Sequence, residues 1–261
     1  MPIHLRQVCL VAETLAPLEQ NIRTLLGTPV CHRDPEVATF GLENALFAFG
    51  SQFLEVVAPV TDGTAAGRFL QRRGGVGGYM VICQADSLET QAGVRERAAA
   101  NGVRVAFEAD RGTWNIMQLH PADMGAAFLE VDWDQQADPQ GNWQAAGGLT
   151  WKNTAGLGDV TGFTGATLAS AEPEQLAQRW ADVLGQPVQR EGGLPVVQLA
   201  NGTLRFVRGD CPLTRGLIAL DISVSQLDDL IRSAGALGLP TSSDGFQLGG
   251  VWFHCQATAV R

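Results

Sequence analysis

No stretch of this chain approaches the roughly 18 uninterrupted apolar residues that a membrane span requires, and the start MPIHLRQ has no basic region leading into a long apolar core. Basic residues are also scarce. Lysine and arginine total 18 against 27 acidic residues, a net charge of −9, so a polyanionic surface is not the expected partner and nucleic-acid binding is disfavoured. No two cysteines form a CxxC pair, and the five present, Cys9, Cys31, Cys83, Cys211 and Cys255, leave one over if paired. That suits reduced thiols in a reducing compartment. Cys9, Cys83 and Cys255 fall in apolar strand-like segments and read as small core residues. The expectation is a soluble, cytoplasmic protein with no membrane partner.

What the chain does have is a fourfold pattern. Short apolar strands begin at QVCLVA from Gln7, YMVICQ from Tyr79, GATLAS from Gly165 and LIALDIS from Leu217, each followed by an amphipathic helix that ends on a Gly turn. A unit with one apolar face must bury it against a copy, so self-similarity of this kind marks a repeated supersecondary unit. The ends agree in register: LLGTPV at 25–30 and VLGQPV at 183–188 close the first and third helices, and ANGVRV and ALGLP close the second and fourth. Glycine supplies the left-handed stop, and in three of the four a proline follows to prevent continuation. Segments such as SQFLEVVAP and AAFLEVDW then read as strands, making the unit one strand, one helix, and two or three more strands.

With 261 residues, 45% of them hydrophobic, the chain has material for two cores of about 100 to 150 residues each. The expected domains are 1–133 and 162–261, each with two units, joined by 134–161. The boundary region, 132–162, is rich in Gly, Gln, Asp and Asn and has no sustained period, but Trp133, Trp143 and Trp151 argue for packing over a domain face.

A strand, helix and three-strand unit used in pairs resembles the vicinal-oxygen-chelate superfamily, which includes glyoxalase I, methylmalonyl-CoA epimerase, extradiol dioxygenases and bleomycin-resistance proteins. The N-terminal half carries the more specific likeness. VVAPVTDGTAAGRFLQRRGGVGGYMVICQ, 56–84, is similar to the epimerase stretch in which a glutamate-bearing strand leads through Pro and a short helix to a Gly-Gly pair, and LHPADMGAAFLEVDW, 119–133, resembles its strand-Glu ending. The resemblance implies an α+β fold of tandem βαβββ units, two domains each a curled mixed-sheet cup with helices outside.

It also implies where a metal would sit, since the superfamily places one ligand on the first and last strand of each unit. Those positions fall at Gln7, Glu55, Tyr79 and Glu130, with both usual histidines missing. Glu55 in FLEVV and Glu130 in FLEVD are each a carboxylate in an apolar strand, where a charge costs several kcal/mol unless paired or coordinated. Facing solvent on an alternating strand is the alternative, but Phe53 and Val57 would share that face with Glu55, and the inward placement is preferred. Tyr79 can hydrogen-bond a substrate oxygen or act as an acid, or it can simply plug the cup mouth; its ordinary pKa of about 10 makes it a poor ligand. Gln7 offers a neutral carbonyl or is an exposed strand start. Such a set would hold one divalent ion weakly, Mg²⁺, Mn²⁺ or Ca²⁺ in preference to Zn²⁺ or Fe²⁺, or none.

The equivalent C-terminal positions are Gly165, Arg205, Leu217 and His254, which cannot chelate a cation. Arg205 is read as pairing with a carboxylate or phosphate, or as an exposed strand arginine, and His254 as a satisfied core histidine. His120 is assigned to a turn, and His4 and His32 to the surface. Arg68, Arg72 and Arg73 crowd a helix C-terminus, where cations are favoured, and the epimerase likeness alone would give them coenzyme A phosphates.

The function expected is an enzyme of isomerase, lyase, epimerase or dioxygenase type on a small oxygenated substrate, with Glu55 and Glu130 as acid and base and Tyr79 assisting. The alternative is a metal-free binding protein of the bleomycin-resistance kind. A small molecule is the expected partner, and a homodimer is compatible with the sequence.

Overall fold

The computed structural model describes residues 2–258; positions 1 and 259–261, which close the expected domain ranges, lie outside the described residues. The four repeats appear in chain order. The first comprises β1 (Ile3–Val11), α1 (Leu15–Leu26), β2 (Val30–His32), β3 (Leu42–Phe49) and β4 (Gln52–Pro59), followed by α2 (Ala65–Arg73). The second comprises β5 (Gly77–Ala85), α3 (Leu88–Ala100), β6 (Val105–Asp110), β7 (Trp114–Leu119), α4 (Pro121–Met124) and β8 (Phe128–Asp134). The third is β9 (Val160–Ser170), α5 (Pro173–Leu184), β10 (Val188–Glu191), β11 (Leu194–Leu199) and β12 (Gly202–Arg208). The fourth, β13 (Gly216–Val224), α6 (Leu227–Ala236), β14 (Gly245–Leu248) and β15 (Val251–Ala257), has an isolated bridge, Thr241 to Phe246, where the others have another strand.

The helix ends follow the chemistry read from the sequence. Gly27 and Gly185 close α1 and α5 at φ of 63° and 69°, a left-handed backbone that a Cβ would strain, and Gly102 and Gly238 take the same conformation just beyond α3 and α6. On α1 the buried residues are Leu15, Leu18, Ile22, Leu25 and Leu26, an i, i+3, i+7 stripe that faces the sheet.

Contacts divide the chain into two compact units that do not follow the repeat order. One contains the chain up to Val8, Tyr79–Asn142 and Gly165–Ile218; the other contains Cys9–Gly78, Trp143–Thr164 and the chain from Ala219 onward. The second and third repeats thus supply the body of the first unit, and the first and fourth that of the other. The expected ranges 1–133 and 162–261 divide the chain by repeat; the compact units cut across that division. Strands β1, β5, β9 and β13 are each divided between the two units.

Within the first unit, β5 pairs in parallel with β8, and β8, β7 and β6 continue antiparallel, while β9 pairs in parallel with β12 and β12, β11 and β10 continue antiparallel. This parallel-then-antiparallel order is what a βαβββ unit must produce, because the helix carries the chain back to the same end of the sheet before the hairpins begin. Helices α3 and α5 pack together, with Arg97 Nε donating to the Val183 carbonyl at 3.0 Å at the end of α5. Trp180 of α5 is fully buried, and its indole Nε1 donates to the Met124 carbonyl at 3.0 Å. The other unit repeats the scheme with β2, β3 and β4 antiparallel and β13 parallel to β15. Trp151 of its connecting segment is buried edge-to-face on Phe53, ring centroids 5.3 Å apart.

Cys9, Cys83 and Cys255 are buried strand residues, and all five cysteines are free. No described helix is long and apolar enough to cross a membrane.

Trp180→Ala removes the largest fully buried side chain and leaves the Met124 carbonyl without its donor; a loss of about 3–5 kcal/mol is expected by denaturant unfolding. A loss below about 1 kcal/mol would contradict this packing.

Candidate functional site

The richest polar chemistry of the first unit lies on β8. Side chains alternate along a strand, so Phe128, Glu130, Asp132 and Asp134 share one face and Leu129, Val131 and Trp133 the other. Glu130 and Asp132 are 5% and 3% exposed, and Asp134 is also buried. The Asp132 carboxyl lies under the influence of the neighbouring Glu130 carboxyl on this face, and two like charges this close disfavour ionising both. Burial first, then the charge and hydrogen bond of Glu130 and the charge of Asp134, push Asp132 well above the usual carboxylate range; the Met117 backbone N–H, 3.3 Å from its Oδ1, opposes the shift. The same surroundings act on Cys83, whose thiol is pushed up by burial and by Asp132 and Glu130. That thiol is no nucleophile.

Two further groups complete this face. Gln84 lies opposite Asp132 in the β5–β8 register, and its Nε2 donates to Asp134 Oδ2 at 3.1 Å. Its Oε1 accepts from Nη1 of Arg6, a fully buried arginine, at 2.5 Å. Arg6 also donates to the carbonyls of Asp138, Gly141 and Asn142 at 3.0, 2.9 and 3.4 Å, so it ties the segment after β8 to the sheet. Burial lowers its pKa to about 10, against the opposing charges of Asp134 and Asp138. At the other end of the face, the Tyr79 ring packs edge-to-face on Phe128 with centroids 5.1 Å apart.

Of the four positions carried over from the family pattern, Gln7, Tyr79 and Glu130 belong to this unit and are buried; Glu55 belongs to the other. Gln7 is therefore not an exposed strand start. Glu55 is 7% exposed, and its Oε1 accepts from Asn44 Nδ2 at 2.7 Å across the β3–β4 pair. Asn44 is held in turn, its Oδ1 accepting from the Asp34 N–H at 2.8 Å. Among the described residues no group of three or more His, Cys, Asp or Glu is arranged to hold a metal ion.

The C-terminal set behaves differently. Gly165 and Leu217 are buried, and Arg205 is half-buried with its guanidinium 3.8 Å from Glu191. His254 is not a core histidine: its side chain is 42% exposed, its Nδ1 lies 3.4 Å from Asp244 Oδ2, and its ring stacks on Trp252. It is displaced from the core because Phe253 and Cys255 take the inward-facing positions of β15.

His120 caps α4, its Nδ1 accepting from the Ala122 N–H, as its turn context implies. His4 and His32 are half-buried instead of exposed. Arg73 is buried and donates to the carbonyls of Val76 and Gly250, which removes it from any phosphate-binding role. Sequence reasoning missed Asp132, Asp134, Gln84, Arg6 and Asn44. The strict alternation of FLEVDWD was a visible signal for the first two.

A family model described as a glyoxalase-like domain matches residues 8–184, and the chain belongs to that family, within the vicinal-oxygen-chelate superfamily. Two solved structures agree on the fold. 4-Hydroxymandelate synthase from Streptomyces coelicolor, as a triple mutant, aligns at a TM-score of 0.63 and 15% identity over 92% of this chain and 76% of its own. A hypothetical protein from Staphylococcus aureus aligns at 0.66 and 10% identity over 99% and 100%. Methylmalonyl-CoA epimerase from Mycobacterium tuberculosis aligns at 0.43 and 21% identity over 50% of this chain and 87% of its own. No curated protein matches the chain.

The raised proton affinity of Asp132 has a consequence for stability. An unfolded aspartate ionises near pH 4, whereas the folded protein keeps this proton to a higher pH, so the group weakens folding progressively as pH rises above about 4 until it ionises in the fold. Asp132→Asn removes that penalty. Its stability relative to the parent is expected to be higher at pH 8 than at pH 4, read from urea unfolding at both values. An identical difference at the two pH values would show that Asp132 ionises normally.

Proposed function

We propose that this protein is a proton-transfer enzyme of the isomerase, epimerase or lyase type, acting on a small oxygenated substrate through Glu130 and Asp132. The observation that carries the proposal is the burial of two carboxyls, Glu130 and Asp132, on one face of β8, with Asp132 pushed well above the usual carboxylate range. Like charges this close disfavour ionising together, and Asp132 is the group pushed towards its acid form. Nothing in the packing of β8 requires two such groups, and perturbed carboxyls of this kind concentrate at functional sites.

In this scheme Glu130 takes a proton from the carbon next to a carbonyl. The electrons of the broken C–H bond form the new C=C bond, and the carbonyl π pair moves to oxygen, which receives the proton held by Asp132. Return of a proton to carbon as the enol oxygen gives its proton back to Asp132 restores the carbonyl and completes isomerisation or epimerisation. Phe128, which shares the face, and Tyr79, packed on its ring, supply an apolar wall that limits water beside the pair.

The family's metal is poorly matched by these residues. Imidazole is missing from Gln7, Glu55, Tyr79 and Glu130, the Glu130 carboxyl is engaged with Asp132, and Glu55 is engaged with Asn44. A divalent ion would have to displace both hydrogen bonds and compete with a proton. The proposed chemistry therefore assigns no step to a metal.

Two measurements test this reading. Purified protein, assayed for bound metal and for thermal shift with Mn²⁺, Mg²⁺ and Zn²⁺, is expected to hold well under one equivalent and to show no specific shift; stoichiometric metal lost in Glu130→Gln would instead restore the chelate. Solvent deuterium incorporation into a panel of small ketones and hydroxyketones, followed by NMR, is expected in the parent and reduced by about 10²–10⁴ in Glu130→Gln and Asp132→Asn. Binding of such compounds without any exchange would move the assignment to a binding protein.

A further inference from the structure

Glu130 and Asp132 are 5% and 3% exposed, and Gln84 and Asp134 beside them are buried as well, so neither carboxyl can meet a substrate in this packing. Strands β5 and β7 are fixed to β8 by ladder hydrogen bonds, and Gln91 of α3 donates to the Val131 carbonyl. The segment 135–142 is held differently. Its first residue is anchored, the Gln135 N–H donating to the Thr113 carbonyl at 2.9 Å, and the chain then turns over Asp134, whose Oδ1 accepts the Gln136 and Ala137 N–H groups. A second turn follows, in which Asp138 accepts the Gln140 N–H on Oδ1 and the Gly141 N–H on its carbonyl.

The far end of this segment is tied back to the sheet by Arg6 of β1. Its guanidinium donates to the carbonyls of Asp138, Gly141 and Asn142 and also to Gln84 Oε1 on β5. Gln84 stands opposite Asp132 and its amide reaches Asp134, so Arg6 closes the segment over that end of the polar face. Gln135, Gln136, Asp138 and Gln140 are exposed on the outside, while Gly141 and Asn142 are buried beneath. Ala137 has a φ of 50°, the one non-glycine residue at positive φ among the described residues. An L side chain disfavours that backbone, and opening the turn would relieve it.

We propose that residues 135–142 form a strap that lifts from β8 to admit a substrate, with Arg6 as the latch that closes it again. The inference rests on the reading of Glu130 and Asp132 as the reacting groups and adds how a substrate reaches them. Loops held by polar contacts, with their outer residues in solvent, belong to the parts of a fold that open at low cost. A planar guanidinium with its N–H groups in a fixed fork suits a latch, because three carbonyls converge on it and release together. Its bond to Gln84 keeps it at the sheet while the strap is away. Arg6 is thus a positioning residue, which governs access and takes no part in proton transfer.

The test labels the carboxyl groups of the full chain with a carbodiimide and an amine at fixed pH and reads each site by mass spectrometry. In the parent, Glu130 and Asp132 are expected to react slowly, at a rate set by strap opening. Arg6→Met keeps the length and offers no donor; it is expected to speed both sites by about tenfold or more. Glu55, buried in the other unit and bonded to Asn44, is expected to keep its parent rate. Arg6→Lys retains the charge and three donors and is expected to fall between parent and Arg6→Met. Ala137→Gly relieves the backbone of the closed strap and is expected to slow labelling of Glu130 and Asp132 by about threefold. These last two variants change no charge, so they report opening alone.

Unchanged labelling in a folded Arg6→Met protein overturns the inference. So does Glu55 accelerating in step with Glu130, which would mark general loosening, or an Ala137→Gly protein labelled as fast as the parent. If Arg6→Met does not fold, Ala137→Gly decides. A strap that opens as described, with no loss of deuterium exchange in Glu130→Gln, leaves the latch intact and removes the catalytic reading, so the two failures are distinct.

Discussion

A carboxyl group buried in a sheet must find a donor, share a proton or remain a heavy cost, and the polar interior of this protein is organised around that requirement. On β8 three carboxyls follow one another at alternate positions, and each meets the requirement differently. Asp132, beside Glu130, is pushed well above the usual carboxylate range, and Asp134 collects N–H donors from its own turn and from Gln84. Arg6 spends its N–H groups on carbonyls and on the amide oxygen of Gln84.

The first repeat meets the same problem with another device. Glu55 sits on β4 as Glu130 sits on β8, but on β4 the residues sharing its face, Phe53 and Val57, are apolar. Its donor is the amide of Asn44 on the neighbouring strand, itself held by the Asp34 N–H. An amide can satisfy a carboxylate without changing its protonation, whereas a second carboxyl can do so only by holding a proton. Equivalent scaffold positions therefore carry a carboxyl bonded to an amide in one unit and a carboxyl beside a second carboxyl in the other. The C-terminal repeats carry neither, since Arg205 is drawn to Glu191 and His254 to Asp244 at partly exposed sites.

The βαβββ repeat constrains where such chemistry can lie. Parallel pairing of first and last strands brings β5 beside β8, which is how Gln84 comes to stand opposite Asp132, 48 positions along the chain. Helices on the other face fix the register through residues such as Gln91, whose Nε2 donates to the Val131 carbonyl at 2.9 Å. A one-residue slip there would turn Glu130 and Asp132 towards the helix and Leu129 and Val131 to the polar face.

The repeat, its helix stops and its strand ends were legible in the linear sequence because they depend on local rules: apolar periodicity, glycine at positive φ, proline after a stop. The burial of Glu55 and Glu130 was legible for the same reason, as a lone carboxylate between apolar neighbours on a strand. Asp132 and Asp134 obey the same alternation, but the glycine- and glutamine-rich run that follows drew the boundary through them. What only tertiary structure decided was partnership. Whether Glu130 faces a metal, an amide or another acid depends on strands brought together from distant parts of the chain, and so does the placement of Arg6 behind Gln84. The compact units were likewise beyond sequence, since copies of one repeat are chemically similar and their periodicity does not say which copies close upon which. Local propensities set the four modules, and the cost of burying charge, which is settled only by neighbours in space, determined what their carboxyls became.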